Sequence, residues 1–312
     1  IYKGRAMFGC HDGCLYCLRA SDGKLAWRLR VARTEERVVA YGQLESPWPL
    51  YGSVLVQDGS VYLTAGRSSY LDGGIDLYRI RPETGEVLSR RTIYSPDPKT
   101  GRQPKQYSPS AMPGALTDIL TADERYIYLR NTVLDKRSLK GQPKGNPHLL
   151  TLTGFLDDTW PHRSYWIFGT HPSLATGYSG RERNLIYGRL LVFDGSSIYG
   201  YGRASVHWSN QLQDKPYRLF ALNLADRSVR WTKRLPIRVR AMVLSGKVLF
   251  VAGTMGKEGE GRTALLIAIS ALDGTELARH RLDSPPVFDG MGAAYGGIYI
   301  ACESGQILCM GE

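Results

Sequence analysis

The chain has 312 residues, 43% of them hydrophobic and 22% charged, a composition that excludes a disordered polymer and gives a sizeable core for one large or two ordinary domains. Its formal charge is +11, but the 40 basic residues are scattered, form no dense run and accompany no nucleic-acid-binding module, so nucleic acid is not expected as a partner. No apolar run approaches the roughly 18–20 residues a helix needs to cross a bilayer, so no membrane span is expected.

The first element in chain order is GCHDGCLYC at 9–17. Cys10, Cys14 and Cys17 stand in a C-x3-C-x2-C spacing, the spacing at which radical-SAM enzymes hold an iron–sulfur cluster. The surrounding residues read differently. His11, Asp12 and Gly13 form a three-residue hairpin turn with glycine at the left-handed position. That register sets Cys10 opposite Cys14 and Met7 opposite Cys17. Side chains alternate along a strand, so Cys14 and Cys17 point to opposite faces and the three sulfurs do not converge. Small buried thiols are expected, with a Cys10–Cys14 cross-strand disulfide as the alternative. Five cysteines is an odd count, which leaves at least one unpaired. Leu18 stands where covalent haem attachment after a C-x-x-C pair needs histidine.

The same pattern recurs. Leu15–Leu29 is similar to Leu77–Arg91, Leu219–Leu235 and Leu266–Leu282, and Phe8–Leu18 lies over Ile300–Met310. Each copy is an alternating apolar run, a turn on Asp-Gly, Thr-Gly or Asp-Arg, and a second run, which makes a β-hairpin. A third strand precedes the hairpin at Ser60–Gly66, Ser197–Gly202, Val248–Gly253 and Gly297–Glu303, and a fourth at Ser53–Asp58 and Arg189–Asp194. A weaker copy falls in Ile119–Arg130, His148–Phe155 and Ser164–Gly169. The spacing is 47 residues from Phe220 to Ile267 and 41 from Ile267 to Leu308, the repeat length of four-stranded propeller blades. The expected fold is an all-β propeller over 1–312 with about six antiparallel four-stranded blades, or seven or eight in a longer parent. The first copy lacks its inner strand and the last its outer one.

These repeats resemble the pyrroloquinoline-quinone-like, or quinoprotein-type, propeller repeat. Gly9, Asp12, Gly13, Leu15, Tyr16, Leu18, Ala20, Asp22, Gly23, Lys24 and Trp27 carry the likeness in the first copy. Thr84, Gly85 and Glu86, then Trp231, then Asp273 and Gly274, carry it later, while Ser89 and Ala278 replace the tryptophan. The resemblance implies that Trp27 and Trp231 dock against a neighbouring blade. It also implies a bacterial periplasm or cell envelope. The family holds quinone-dependent alcohol and sugar dehydrogenases as well as a non-catalytic outer-membrane assembly factor, so the likeness leaves function open. Its dehydrogenases carry a vicinal cysteine disulfide, a calcium ion held by Glu, Asn and Asp, and a tryptophan floor beneath the quinone. No Cys-Cys pair occurs here and no calcium ligands map onto this chain. No cofactor is expected, with pyrroloquinoline quinone plus calcium as the alternative.

Long insertions are expected between blades at 32–52, 94–116 and 170–188, and within blades at 66–74, 202–217 and 253–262. They crowd one rim of the central channel, where binding chemistry sits on such scaffolds. The candidate ligand-binding residues are Arg67, Ser69, Tyr70, Asp72, Arg203, His207 and Trp208, with Glu45 and Trp48 beside them. Aromatic rings next to arginine and a carboxylate suit a sugar or a peptide. Asp157, Asp158 and His162 could hold a metal or act as acid and base, but Pro161 breaks any helix there, and turn capping with stacking of Trp160 is the expected role. No metal site is therefore expected. Nucleophile elbows, zinc helices, Walker loops and dinucleotide fingerprints are absent from the sequence. The expected function is non-catalytic binding of a protein or glycan ligand at the channel mouth. The alternatives are a quinone-dependent oxidoreductase and a glycan-active enzyme.

Overall fold

One turn recurs at the hairpin tips. The amide of its first residue donates to the sixth carbonyl, and the fifth amide returns to the first carbonyl. The pairs are Arg19 to Lys24 with Gly23 to Arg19, Arg81 to Glu86 with Gly85 to Arg81, Asp135 to Lys140 with Leu139 to Asp135, Asn223 to Ser228 with Arg227 to Asn223, and Ser270 to Thr275 with Gly274 to Ser270. The fifth residue is left-handed each time, with φ of 70, 77, 55, 62 and 76°. Three copies use glycine, whereas Leu139 and Arg227 accept a conformation that costs an L-residue about 1–2 kcal/mol. A side-chain oxygen secures the turn from within: Asp22, Thr84, Asp135, Asp226 and Asp273 each accept from the amide two residues on. This is the physical content of the Asp-Gly and Thr-Gly signature.

The computed structural model describes residues 1–40, 42–51, 54–102, 115–151, 166–170, 186–202, 217–255 and 263–311. Two compact units make up the chain, residues 1–156 with 167–177 and residues 157–166 with 178–312. Blade 1 is β1 (Arg5–Gly9), β2 (Cys14–Arg19) and β3 (Leu25–Arg30). A separate two-stranded hairpin follows, β4 (Val38–Ala40) and β5 (Gln43–Glu45). Blade 2 is β6 (Leu55–Gln57), β7 (Ser60–Ala65), β8 (Ile75–Ile80) and β9 (Val87–Ile93). Blade 3 is β10 (Thr121–Ala122), β11 (Tyr126–Leu129), β12 (Thr132–Asp135) and β13 (Gly141–Gln142). Blade 4, at the division of the chain, has β14 (His148–Thr151), β15 (Trp166–Gly169) and β16 (Ile186–Gly188). Blade 5 is β17 (Leu190–Phe193), β18 (Ser197–Gly202), β19 (Arg218–Asn223) and β20 (Val229–Lys233). Blade 6 is β21 (Arg238–Ser245), β22 (Val248–Thr254), β23 (Ala264–Ser270) and β24 (Glu276–Leu282). Blade 7 is β25 (Pro286–Ala294), β26 (Gly297–Cys302) and β27 (Ile307–Gly311).

These sheets are the blades of a β-propeller, and among the described residues there is no helix. The repeats count about six blades and the structure has seven. The stretch read as one weak copy is two blades: Ile119–Arg130 supplies β10 and β11, while His148–Phe155 and Ser164–Gly169 supply β14 and β15. Strands β10 and β13 have only two residues each, too few to display alternation, so the two blades merge in the sequence. The first and last sheets have three strands, as the half-repeats imply. The segment 170–188 ends in β16.

The opening hairpin has the expected register. Met7 pairs with Cys17, and the Cys10 amide donates to the Cys14 carbonyl at 3.0 Å. All five cysteines are free thiols, with Cys14, Cys17 and Cys302 buried. Burial pushes these three thiols above their ordinary value, which keeps them protonated and unreactive.

The cores lie between blades. Leu15 of blade 1 and Val31, just beyond its last strand, pack with Val61, Leu63, Tyr78 and Ile80 of blade 2. The other face of blade 2, through Tyr62, Ile75 and Leu77, packs with Ile127, Leu129, Leu134 and Leu139 of blade 3. Strands β7 and β8 are thus buried on both faces, whereas the outer β3 and β9 are largely exposed. In the second unit the same arrangement joins blades 5 and 6, and blades 6 and 7.

Tryptophan fastens two of these joints. The Trp27 Nε1 donates to the Pro82 carbonyl at 3.1 Å, and its ring lies on Gly85, where an added Cβ would stand 2.9 Å from Cε3. Trp231 repeats this on the Ala271 carbonyl at 3.1 Å and on Gly274, again at 2.9 Å. Glycine is required there twice over, by φ and by the ring above it. In blades 1, 2, 5 and 6 the last two strands also carry a register shift beside their turn, at Cys17/Leu18, Arg79/Ile80, Ala221/Leu222 and Ala268/Ile269. Such bulges re-aim the following side chain.

Trp231→Ala is expected to lower unfolding free energy by roughly 3–5 kcal/mol, read by urea denaturation with circular dichroism. Gly274→Ala is expected to destabilise the parent strongly but the Trp231→Ala variant much less, because the ring it strikes is gone. Additive losses in the double variant would contradict the docking.

Candidate functional site

The insertions of the first unit are tied together from blade 1 outward. Val31 and Ala32 donate their amides to the Gly13 carbonyl, Ser46 to His11, Leu50 to Cys10 and Gly66 to Pro49. The connection 31–51 therefore lies against the first hairpin, close enough that a Cβ on Gly13 would stand 2.4 Å from that of Ala32.

Two buried carboxylates organise what these loops carry. Asp76, on β8, is fully buried and accepts from Arg33 Nε at 2.8 Å and NH2 at 3.0 Å, from Arg90 at 2.8 Å and from the Thr92 hydroxyl at 2.6 Å. Arg33 also donates to the Gly73 carbonyl and lies 5.3 Å from the centre of the Trp48 ring. One carboxylate thus gathers the loop after blade 1, the loop at 66–74 and the outer strand of blade 2. Burial pushes the Asp76 carboxyl up. The hydrogen bonds from Arg33, Thr92 and Arg90 outweigh it and hold the group below its usual value of 3.8.

Glu45, at the end of β5, is the second. The Tyr51 hydroxyl donates to it at 2.6 Å, and Arg67 Nε and His11 Nδ1 each stand 3.5 Å away. The His11 ring meets the edge of Tyr51 with centroids 4.8 Å apart.

The candidate residues divide as follows. Arg67 is half-buried and faces Glu45, so these two are brought together. Ser69 is fully buried and its hydroxyl accepts from the Ser95 hydroxyl and the Ala115 amide, both at 2.8 Å, so it ties its loop to both ends of the 94–116 connection. Tyr70 is half-buried with its amide on the Ser68 hydroxyl. Asp72 is exposed at the loop tip with φ 52°. Trp48 is buried beside Arg33. Arg203, His207 and Trp208 lie outside the described residues, as do Asp157, Asp158, Trp160 and His162.

Sequence reasoning missed Asp76, Arg33, His11 and Tyr51, and above all the β4–β5 hairpin. There Val39 and Leu44 are cross-strand partners, 76% and 71% exposed. The signal available was two short runs of alternating character about Gly42, which is left-handed at φ 74°.

This arrangement neutralises charge internally. Each of these two carboxylates faces arginine, which leaves neither open to a cation or to a substrate proton. Among the described residues no group of three or more His, Cys, Asp or Glu could hold a metal, and no two cysteines are adjacent.

No family model matches the sequence, and no curated protein matches it. Solved structures do match in fold. BamB from Moraxella catarrhalis is 12% identical, with 99% of this chain and 82% of that one covered and a TM-score of 0.52. Quinohemoprotein alcohol dehydrogenase from Comamonas testosteroni is 15% identical over 97% of this chain and 62% of that one, with a TM-score of 0.57. Quinohemoprotein alcohol dehydrogenase ADHIIG from Pseudomonas putida HK5 is 12% identical over 96% and 61%, with a TM-score of 0.54. This chain spans about three fifths of the length of the two dehydrogenases. The fold is the quinoprotein-type propeller, and the likeness at such identity extends to the fold alone.

Asp76→Asn is expected to cost roughly 2–4 kcal/mol at neutral pH, less than orphaning a fully enclosed pair because Arg33 and Arg90 reach solvent. The folded carboxyl is depressed below 3.8, so its contribution is complete above that pH and fades as pH falls through the folded value. Acid titration of stability should show this loss in the parent and not in the variant. Equal acid sensitivity would contradict the assignment.

Proposed function

We propose that the protein is a non-catalytic binding propeller that docks a partner protein on the loop-bearing side of its first unit, through the β4–β5 hairpin, in a bacterial cell envelope. The observation that carries this reading is the exposed cross-strand pair Val39 and Leu44. Large apolar side chains set opposite one another in water mark interaction surfaces. Among the described residues the hairpin forms a sheet of its own with no further strand paired to it, an arrangement that suits strand addition. Its base is held by Glu45, whose partners come from blade 1, the following loop and Arg67. A rigid base lowers the ordering cost of binding. Leu71 and Tyr94, on connections tied into the same network, are also half or more exposed. Among the described residues no helix is long and apolar enough to cross a membrane.

A quinone-dependent oxidoreductase is the second reading, and the likeness to the two dehydrogenases favours it. The engaged carboxylates favour the first.

With added pyrroloquinoline quinone and calcium, the purified protein is expected to show no dye-coupled oxidation of primary alcohols or aldoses above a heat-treated control. Turnover would replace the binding reading. Val39→Asp with Leu44→Asp is expected to keep the parent melting temperature and to weaken capture of its cross-linked partner by tenfold or more. Undiminished capture, or a glycan-array signal untouched by the double variant, would move the site elsewhere.

A further inference from the structure

One face of the opening hairpin carries two thiols beside two rings. Gly9 and Leu15 close the pairing of β1 with β2. The next position outward sets Cys10 against Cys14, and the Cys10 amide donates to the Cys14 carbonyl at 3.0 Å. Directly opposed residues share a face of the sheet. Alternation then puts Cys10 and Cys14 on the face where the rings of Phe8 and Tyr16 stack, centroids 5.6 Å apart. Cys17 falls on the other face, opposite Met7.

Asp12 gathers the pair from within the turn. Its carboxylate accepts from the Cys14 amide at 2.9 Å and from the Tyr16 hydroxyl at 2.6 Å. Burial pushes the Asp12 carboxyl up, but hydrogen bonds from the Tyr16 hydroxyl, the Cys14 amide and the Cys10 thiol hold it below its usual value of 3.8. The same carboxylate adds its charge to the burial that raises the Cys14 thiol. Two sulfurs from opposed positions thus stand at one carboxylate. Opposed residues of an antiparallel pair have Cα atoms about 4.5–5.5 Å apart, inside the span of about 4.4–6.8 Å that a disulfide bridges. The two sulfurs differ in access, since Cys10 is half-buried and Cys14 is buried.

The turn between them is also a mooring. The Gly13 carbonyl holds the amides of Val31 and Ala32, that of His11 holds Ser46, and that of Cys10 holds Leu50. The connection that bears the β4–β5 hairpin is therefore fastened at both of its ends to the stretch Cys10–Gly13.

We propose that Cys10 and Cys14 form a thiol–disulfide exchange site, which takes up a small external disulfide of the glutathione class and closes a bridge that clamps this mooring. The deprotonated Cys10 sulfur attacks one sulfur of the external disulfide, and the other leaves as a thiolate. The Cys14 sulfur then gives its proton up by way of Asp12 and attacks Cys10 Sγ, which expels the second thiolate. Two protein thiols become one disulfide, the external disulfide becomes two thiols, and the two protons end on them. Burial closes Cys14 to outside reagents, but its target stands in its own hairpin. The Asp12 charge disfavours the Cys14 thiolate, which makes closure the slow step.

The test uses Cys309→Ser protein, which lacks the exposed thiol. It is incubated with oxidised glutathione, quenched in acid, unfolded, alkylated and mapped. Alkylation is expected to remain at Cys17 and Cys302 and to be lost at Cys10 and Cys14, which are recovered joined. Adding Cys14→Ser should leave glutathione on Cys10, whereas adding Cys10→Ser should leave Cys14 reduced. In the bridged form the amides of Val31, Ala32, Ser46 and Leu50 are expected to exchange about fivefold more slowly than in the reduced form, and dithiothreitol should restore the faster rates. Glutathione that stays on Cys10 with Cys14 present, a Cys14–Cys17 bridge, or no reaction at Cys10 would each overturn the site. A Cys10–Cys14 bridge that leaves those exchange rates unchanged would overturn the clamp. None of these readings involves a docking partner, so they stand apart from the assignment of the β4–β5 hairpin.

Discussion

An indole laid on a left-handed glycine is the contact that sets blade 1 against blade 2 and blade 5 against blade 6. Backbone hydrogen bonds make each sheet, but they end at the sheet's own edges. What fixes one sheet against the next is side-chain packing, and packing is directional only where a large rigid group meets a shaped seat. Trp27 and Trp231 supply the group, and the turns at Arg81–Glu86 and Ser270–Thr275 supply the seat. The seat demands a positive φ, a missing Cβ and a carbonyl aimed outward. The bulge beside each turn then aims the fourth strand at the following blade.

Where the tryptophan is missing, its seat changes with it. Ser89 faces a turn whose fifth residue is Leu139, a side chain that no docked ring could tolerate and that packs into the core instead. Tyr62 reaches the Lys136 carbonyl from another strand. At this joint the group and its seat are therefore both changed.

The part of this fold legible in the sequence is the part with strict local geometry. The Asp-Gly and Thr-Gly turns, the alternation in strands such as β2 and β19, and the two tryptophans announce the propeller and its three-stranded ends. Blades 3 and 4 were read as one because β10 and β13 are two-residue strands held by their neighbours, with no pattern of their own. The loop side was harder to read. Ser69 carries a residue type common in binding loops, yet its hydroxyl lies inside a knot of two connections. Asp76 sits in IDLYRI, where an acid within an apolar strand signals a buried ion pair, but its arginines come from positions 33 and 90, a pairing sequence spacing does not reveal. The first unit's insertions thus form a braced surface around engaged carboxylates, with the β4–β5 hairpin standing clear of it.

The most direct test of the docked indoles is hydrogen exchange of the Nε1 protons in protein labelled with ¹⁵N-tryptophan, assigned by single substitutions. The account expects the Trp27 and Trp231 protons to be protected, with that of the more deeply buried Trp231 exchanging only as its unit unfolds. Exchange of both at the rate of free indole would mean that neither ring is seated, and the blades would need some other fastening.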